Sequence, residues 1–170
     1  MKKLLLILCV SLFTMSSCNK EGDSPNDQSS AGWTLGGSNF SQVLSRKIPS
    51  GVFVAYQAWD KIPTSAESAA NSNSFVALNG VSVLFKSTPT AGKYKIVITP
   101  DPSMLNADEL MISVEDKTRN KRYASTATSV LADVTVNGGK VTIKVPTTKV
   151  LQQGLLGGET LDFSCTLVEQ

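Results

Sequence analysis

The chain has 170 residues, of which 41% are hydrophobic; 16 lysines and arginines stand against 14 acids, with three cysteines and no histidine. Loss of a leader carrying Lys2 and Lys3 would leave 14 basic residues against 14 acidic ones, too balanced for the basic footprint that nucleic acid demands. The missing histidine excludes a Ser-His-Asp triad and a histidine zinc site, and it removes the commonest general base.

Residues 1–17 have the build of a secretory leader: Lys2-Lys3, an apolar run from Leu4 to Phe13, then Ser16 and Ser17. The apolar run is too short for a transmembrane helix, which needs about 20 residues. Met15-Ser16-Ser17-Cys18 resembles the bacterial lipobox, with Met15 in the place usually held by leucine. That resemblance implies cleavage before Cys18 and acylation of its thiol and new amino group. Each buried methylene contributes about 0.8 kcal/mol, so two or more acyl chains give a stable anchor. An ordinary cleaved leader with an incidental cysteine is the other reading.

Asn19 to Ala31 (NKEGDSPNDQSSA) has no aromatic residue and no aliphatic one larger than alanine. It cannot bury enough apolar surface to offset its ordering entropy, so residues 18–31 read as lipidated cysteine plus tether. The root-mean-square reach is roughly 20 Å. Lys20-Glu21 and Asp23 resemble the acidic surface-export signal of Bacteroides-group lipoproteins, or are simply a soluble linker.

Residues 32–170 are expected to form one β domain, long enough to bury a core without disulfides. Trp33-Thr34-Leu35 and Phe40 to Leu44 flank Gly36-Gly37-Ser38-Asn39 and predict a hairpin. A short helix over Phe40, Val43 and Leu44 is the rival. Val52 to Trp59 is apolar on both parities, as a strand buried on both faces requires. Asp60 to Asn73 reads as a long loop, with room for one helical turn at Ser65 to Ala70. Asn79-Gly80 between Phe75–Leu78 and Val81–Phe85 predicts a two-residue hairpin turn.

Tyr94, Ile96 and Ile98 alternate with Lys93, Lys95 and Thr99, and predict a half-buried strand. Pro100-Asp101-Pro102 ends it, and Leu110, Ile112 and Val114 mark the next. Asp116 to Asn120 turns the chain toward Arg122-Tyr123-Ala124. Val134 and Val136 lead through Asn137-Gly138-Gly139 to Val141, Ile143 and Val145, a hairpin that Pro146 is expected to close. Val150-Leu151 is a short strand, Gly154 to Gly158 a loop, and Leu161, Phe163, Cys165 and Leu167 line the last strand. About ten short strands point to an all-β fold, an antiparallel β-sandwich, with a closed or partly open β-barrel as the alternative.

The run Phe85 to Val97, the Tyr123-Ala124-Ser125 segment and the Val134–Val145 hairpin, taken with the lipobox, resemble the small outer-membrane lipoproteins of the Bacteroides group (Bacteroidota). The resemblance spans most of residues 31–170. It implies a β-rich domain on an outer-membrane anchor and carries no functional residue across.

Candidate chemistry is sparse. Asp101, Asp108 and Glu109 share one loop region and could form a cation or polar site, or act as glycosidase carboxylates if a second acid such as Asp60 or Asp133 lay opposite. Trp59 with Asp60, and Trp33, are the candidate ligand-binding residues, since sugar-binding modules present such rings at a surface. Cys165 sits on the apolar parity of its strand, as a buried thiol does. Lys117, Arg119, Lys121 and Arg122, interleaved with Glu115 and Asp116, suit a solvated hairpin end or contact with anionic headgroups. The expectation is a lipid-anchored, non-enzymatic binding or interaction module at the outer membrane, cofactor-free, on its surface or periplasmic face. Its ligand is expected to be a glycan or a protein, and not nucleic acid. The alternatives are a carboxylate-dependent glycosidase-like enzyme and a structural accessory of a membrane complex.

Overall fold

The computed structural model describes residues 30–65, 78–154 and 157–170. The leader, Cys18, the tether up to residue 29, residues 75–77 of the first arm of the Asn79-Gly80 hairpin and residues 66–70 of the proposed helical turn lie outside them.

Eleven strands are found among the described residues: β1 Gly32–Leu35, β2 Ser38–Ser41, β3 Leu44–Pro49, β4 Val54–Trp59, β5 Gly80–Phe85, β6 Gly92–Ile96, β7 Glu109–Asp116, β8 Lys121–Ser125, β9 Leu131–Asn137, β10 Lys140–Gln152 and β11 Thr160–Val168. A single 3-10 turn, Pro102–Met104, separates β6 from β7; Asp101 caps it by accepting a hydrogen bond from the Ser103 amide.

The all-β expectation holds, and the architecture is the barrel alternative rather than a plain sandwich. Five strands close into a ring in the order β6, β7, β8, β10, β9. Closure depends on two strands that serve two neighbours along one edge. β7 pairs with β5 along Leu110 to Glu115, so β6 (at Glu109 and Leu110) and β8 (at Ser113 to Asp116) must share its other edge. β10 does the same with β9 and β8, while β11 takes its opposite edge. The β6–β7 contact is parallel. Two wings extend from the ring, β5-β4-β3 from β7 and β11-β1-β2 from β10.

Cross-strand rows explain the core. Val54, Phe85 and Leu110 are in register, as are Tyr56, Val83 and Ile112, and Ala58, Val81 and Val114. These residues join Trp33 and Leu35 of the other wing, together with Ile143 and Phe163, in one buried cluster. Phe85 packs edge-on against both Tyr56 and Tyr94. The wings are tied at Val168 of β11: Gln42, in the β2–β3 connection, donates its side-chain amide to the Val168 carbonyl (2.6 Å) and accepts from its amide (3.1 Å), and Ser45 Oγ of β3 donates to the same carbonyl (2.7 Å).

Three local expectations are corrected. Gly80 is not a turn residue: it opens β5, opposite Trp59 on one side and Glu115 on the other, so both edges of β5 are already paired. The second arm of the expected hairpin, Val81 to Phe85, therefore has no free edge for a hairpin partner, and neither Asn79 nor Gly80 has a positive φ. Pro146 does not close the late hairpin. β10 runs on to Gln152 and absorbs Pro146 in a bulge where Pro146 and Thr147 stand opposite Ser164 alone. Ile98 is 55% exposed, because β6 ends at Ile96, before the alternation does. Both predicted hairpins form, but with tighter turns than expected: only Gly36-Gly37 and Gly138-Gly139 turn the chain, all four at positive φ as a two-residue hairpin turn requires, while Ser38 and Asn39 already pair in β2 and Asn137 in β9. The first of these settles β1–β2 as a hairpin rather than a helix.

Candidate functional site

Neither tryptophan lies open at a surface. Trp59 is 6% exposed and Trp33 is 3% exposed. The Trp59 indole lies over Gly80, where a Cβ would sit 2.9 Å from its Cδ1. It packs with Leu78 and Leu44, and the Arg46 guanidinium stands 4.7 Å from the ring centroid. A pocket of about 190 Å³ beside it is lined by Arg46, Gln57, Ser82 and Glu115. Burial raises the Glu115 carboxyl above its usual range, against the pull of Arg122. Asp60 has a bracing role: its Oδ2 accepts from Asn79 Nδ2 (2.7 Å), and Asn79 Oδ1 accepts from the Lys117 amide (2.8 Å).

The loop acids are each held by a local partner. Asp101 Oδ1 accepts from the Ser103 amide (2.8 Å), Asp108 pairs with Lys95 (2.8 Å), and Glu109 Oε2 accepts from the Asn106 amide and side chain (2.9 and 3.0 Å). The Ser103 amide and Lys95 respectively hold Asp101 and Asp108 below the usual carboxylate range. Among the described residues no three Asp, Glu, Cys or His side chains are grouped as a metal would need.

The densest ionic cluster is at the β7–β8 hairpin. Asp116, 1% exposed, pairs with Arg119 at 2.6 Å. Glu159 accepts from Lys121 (2.9 Å) and from the buried Tyr123 hydroxyl (2.5 Å). Lys121 and Tyr123 hold Glu159 below its ordinary range, while burial and Glu159 raise Tyr123. The basic run singled out in the sequence is thus largely neutralised, with Arg122 also 3.4 Å from Glu115.

The outward side of the β2-β1-β11-β10 wing carries something the sequence reading missed. Two cross-strand rows run across it: Ser41, Gly32, Thr166, Lys144, and Asn39, Thr34, Ser164, then the bulged Pro146-Thr147. Thr34 and Ser164 are joined through their hydroxyls at 2.8 Å. These residues line an open groove of about 630 Å³.

No family model, curated protein or solved structure matches the chain. Its own geometry is therefore the guide to what the groove can do.

At Gly32, in the middle of the first row, the β2 backbone takes the place of a side chain. A Cβ there would lie 2.2 Å from the Phe40 carbonyl oxygen, so glycine is required by the close approach of β2. Trp33, one of the predicted ligand residues, borders the groove. Its ring stacks on Phe40 (centroids 5.3 Å apart, planes 12° apart), and its buried indole N–H has no partner among the described residues. Hydroxyls that both donate and accept, one amide and one ammonium make a surface suited to a neutral, hydroxylated ligand. The alternation of strands could have signalled it, since the polar parity of β1, β2 and β11 carries Thr34, Asn39, Ser41, Thr160, Ser164 and Thr166. Only the pairing order brings those three polar edges side by side.

Proposed function

We propose that the chain is a lipid-anchored binding module of the bacterial cell envelope, non-enzymatic, that captures glycan through the groove on the β2-β1-β11-β10 face. The observation that carries this reading is the pair of polar rows that line the groove. They offer closely spaced hydroxyl and amide partners on hydrogen-bonded strands rather than on loops, which keeps them preorganised. Among the groove residues Lys144 is the one charged side chain, which favours a neutral ligand over a strongly anionic one. The lipobox-like Met15-Ser16-Ser17-Cys18 and the tether support display on a membrane, as in the Bacteroides-group lipoproteins that the chain resembles.

Two experiments test the reading. A glycan array probed with the wild-type protein is expected to give binding that the Thr34→Val/Ser164→Ala double variant loses. Both positions are half-buried surface sites, so the change in stability should stay within about 1 kcal/mol. Equal binding by the double variant, or none by the wild type, contradicts the groove as a glycan site. Membrane fractionation of Cys18→Ala cells should move the protein to the soluble fraction; unchanged association overturns the anchor.

A further inference from the structure

The outward side of the β5-β4-β3 wing carries a smaller concavity of different chemistry. Two cross-strand rows lie next to each other there: Arg46, Gln57, Ser82 and Ser113, then Leu44, Trp59, Gly80, Glu115 and Arg122. The pocket of about 190 Å³ beside Trp59 sits over both rows. It is smaller than the roughly 300–1,000 Å³ of sites for drug-sized ligands, so it suits a small molecule.

Its charges are the anomaly. Arg46 and Glu115 line the same pocket but do not pair with each other. The Arg46 guanidinium rests on the Trp59 ring, and its hydrogen bond to Gln57 Oε1 is long at 3.4 Å. It has no acidic partner among the described residues. Glu115 faces Arg122, also at 3.4 Å, and burial raises its carboxyl more than Arg122 lowers it. Both charged groups can be reached from outside: Arg46 is exposed, and the Glu115 side chain is 26% exposed. Their strands, β3 and β7, stand three strand spacings apart, roughly 14 Å. Gln57 and Ser82 lie between, with an amide and a hydroxyl that both donate and accept.

We propose that this pocket binds a small free α-amino acid, with its carboxylate on Arg46 and its ammonium on Glu115. A guanidinium takes a carboxylate through two parallel hydrogen bonds. An ammonium beside Glu115 favours the charged carboxylate that burial disfavours. A ligand with a single charge answers one of these groups and leaves the other. A neutral sugar answers neither, so the site is independent of the groove on the β2-β1-β11-β10 face.

The test is a ligand-observed NMR titration of the purified full chain with glycine, L-alanine, L-serine and L-threonine, with propionate and ethylamine as single-charge controls. Wild type is expected to bind at least one of the amino acids saturably, and at least tenfold more tightly than either control. Arg46→Met, at an exposed position, and the isosteric Glu115→Gln should each weaken that binding about tenfold or more, the scale of one charge-assisted hydrogen bond. Circular dichroism should show both variants folded. Thr34→Val/Ser164→Ala should bind the amino acid as wild type does, whatever becomes of its glycan binding. Three results overturn the proposal: no saturable binding of any of the four amino acids, equal binding of propionate or ethylamine, or unchanged affinity in both folded variants.

Discussion

Gly32 and Gly80 both lie in strands, where glycine is otherwise unfavourable, and each is there because something approaches too closely for a side chain. The two approaches differ in kind. At Gly32 the obstacle is the Phe40 carbonyl, part of the backbone, at 2.2 Å from the missing Cβ. At Gly80 the nearest atom belongs to the Trp59 indole, a side chain that can tilt. Gly32→Ala should therefore cost more stability than Gly80→Ala, on the order of 1–3 kcal/mol or more by the scale of overpacking. Urea denaturation of the two variants checks the ranking, and equal or reversed costs would refute it. Cys165 gives a chemical counterpart. Burial pushes its thiol up to about 12, and the thiolate is the reactive form. Iodoacetamide should leave Cys165 unlabelled in the native protein at neutral pH and label it in urea, as peptide mass spectrometry would read out; native labelling would contradict the packed position. Glu159 sets an acid limb. Its folded carboxyl is held below the ordinary 4.5 by Lys121 and Tyr123, so its stabilising contribution is present above that value. It is lost as the pH falls through the lowered one. Thermal unfolding followed from pH 6 to 2 should show a shallower acid loss in Glu159→Gln, with an unchanged slope as the contrary result.

Among the elements, hairpins were legible where turn chemistry and strand alternation agreed. Gly36-Gly37 and Gly138-Gly139 needed only local geometry, and the buried parities of β7 and β11 match the alternation of Leu110, Ile112, Val114 and of Phe163, Cys165, Leu167. Asn79-Gly80 misled because a turn signal reports what the backbone tolerates; tertiary pairing decided otherwise, placing Gly80 under the Trp59 ring. Pro146 misled for a related reason. A proline stops a regular ladder, but a bulge has an unpaired position for it. The bulge carries a prediction of its own. Deleting Pro146 leaves a regular register in which Thr147 takes the slot opposite Ser164, and it removes the bulge that borders the groove. The variant should keep its β circular-dichroism signature if the strand repairs in that way, and lose glycan affinity. Retained affinity would show that the bulge is not part of the site.

At the scale of the whole molecule the barrel was hidden because its closure is non-local. The strand count and alternation indicated an all-β domain, while closure depended on β7 and β10 each serving two neighbours along one edge, with one parallel contact at β6. The candidate site was hidden for the same reason. Thr34 and Asn39 lie near one end of the chain and Ser164 and Thr166 near the other, each unremarkable singly, and only the β2-β1-β11-β10 order brings the two pairs together. Trp33 stood out as a residue, but as a ring for stacking; it is instead a buried wall of the groove, and Trp59 belongs to the opposite wing. That separation provides the most direct measurement on the glycan-binding claim. The chain has two tryptophans, so in a Trp59→Phe variant the emission comes from Trp33 alone. Titration of that variant with soluble mannan, β-glucan and dextran should give a saturable change in Trp33 emission with at least one of them, abolished by Thr34→Val/Ser164→Ala. Emission that stays constant with all three would contradict a glycan seated in the groove.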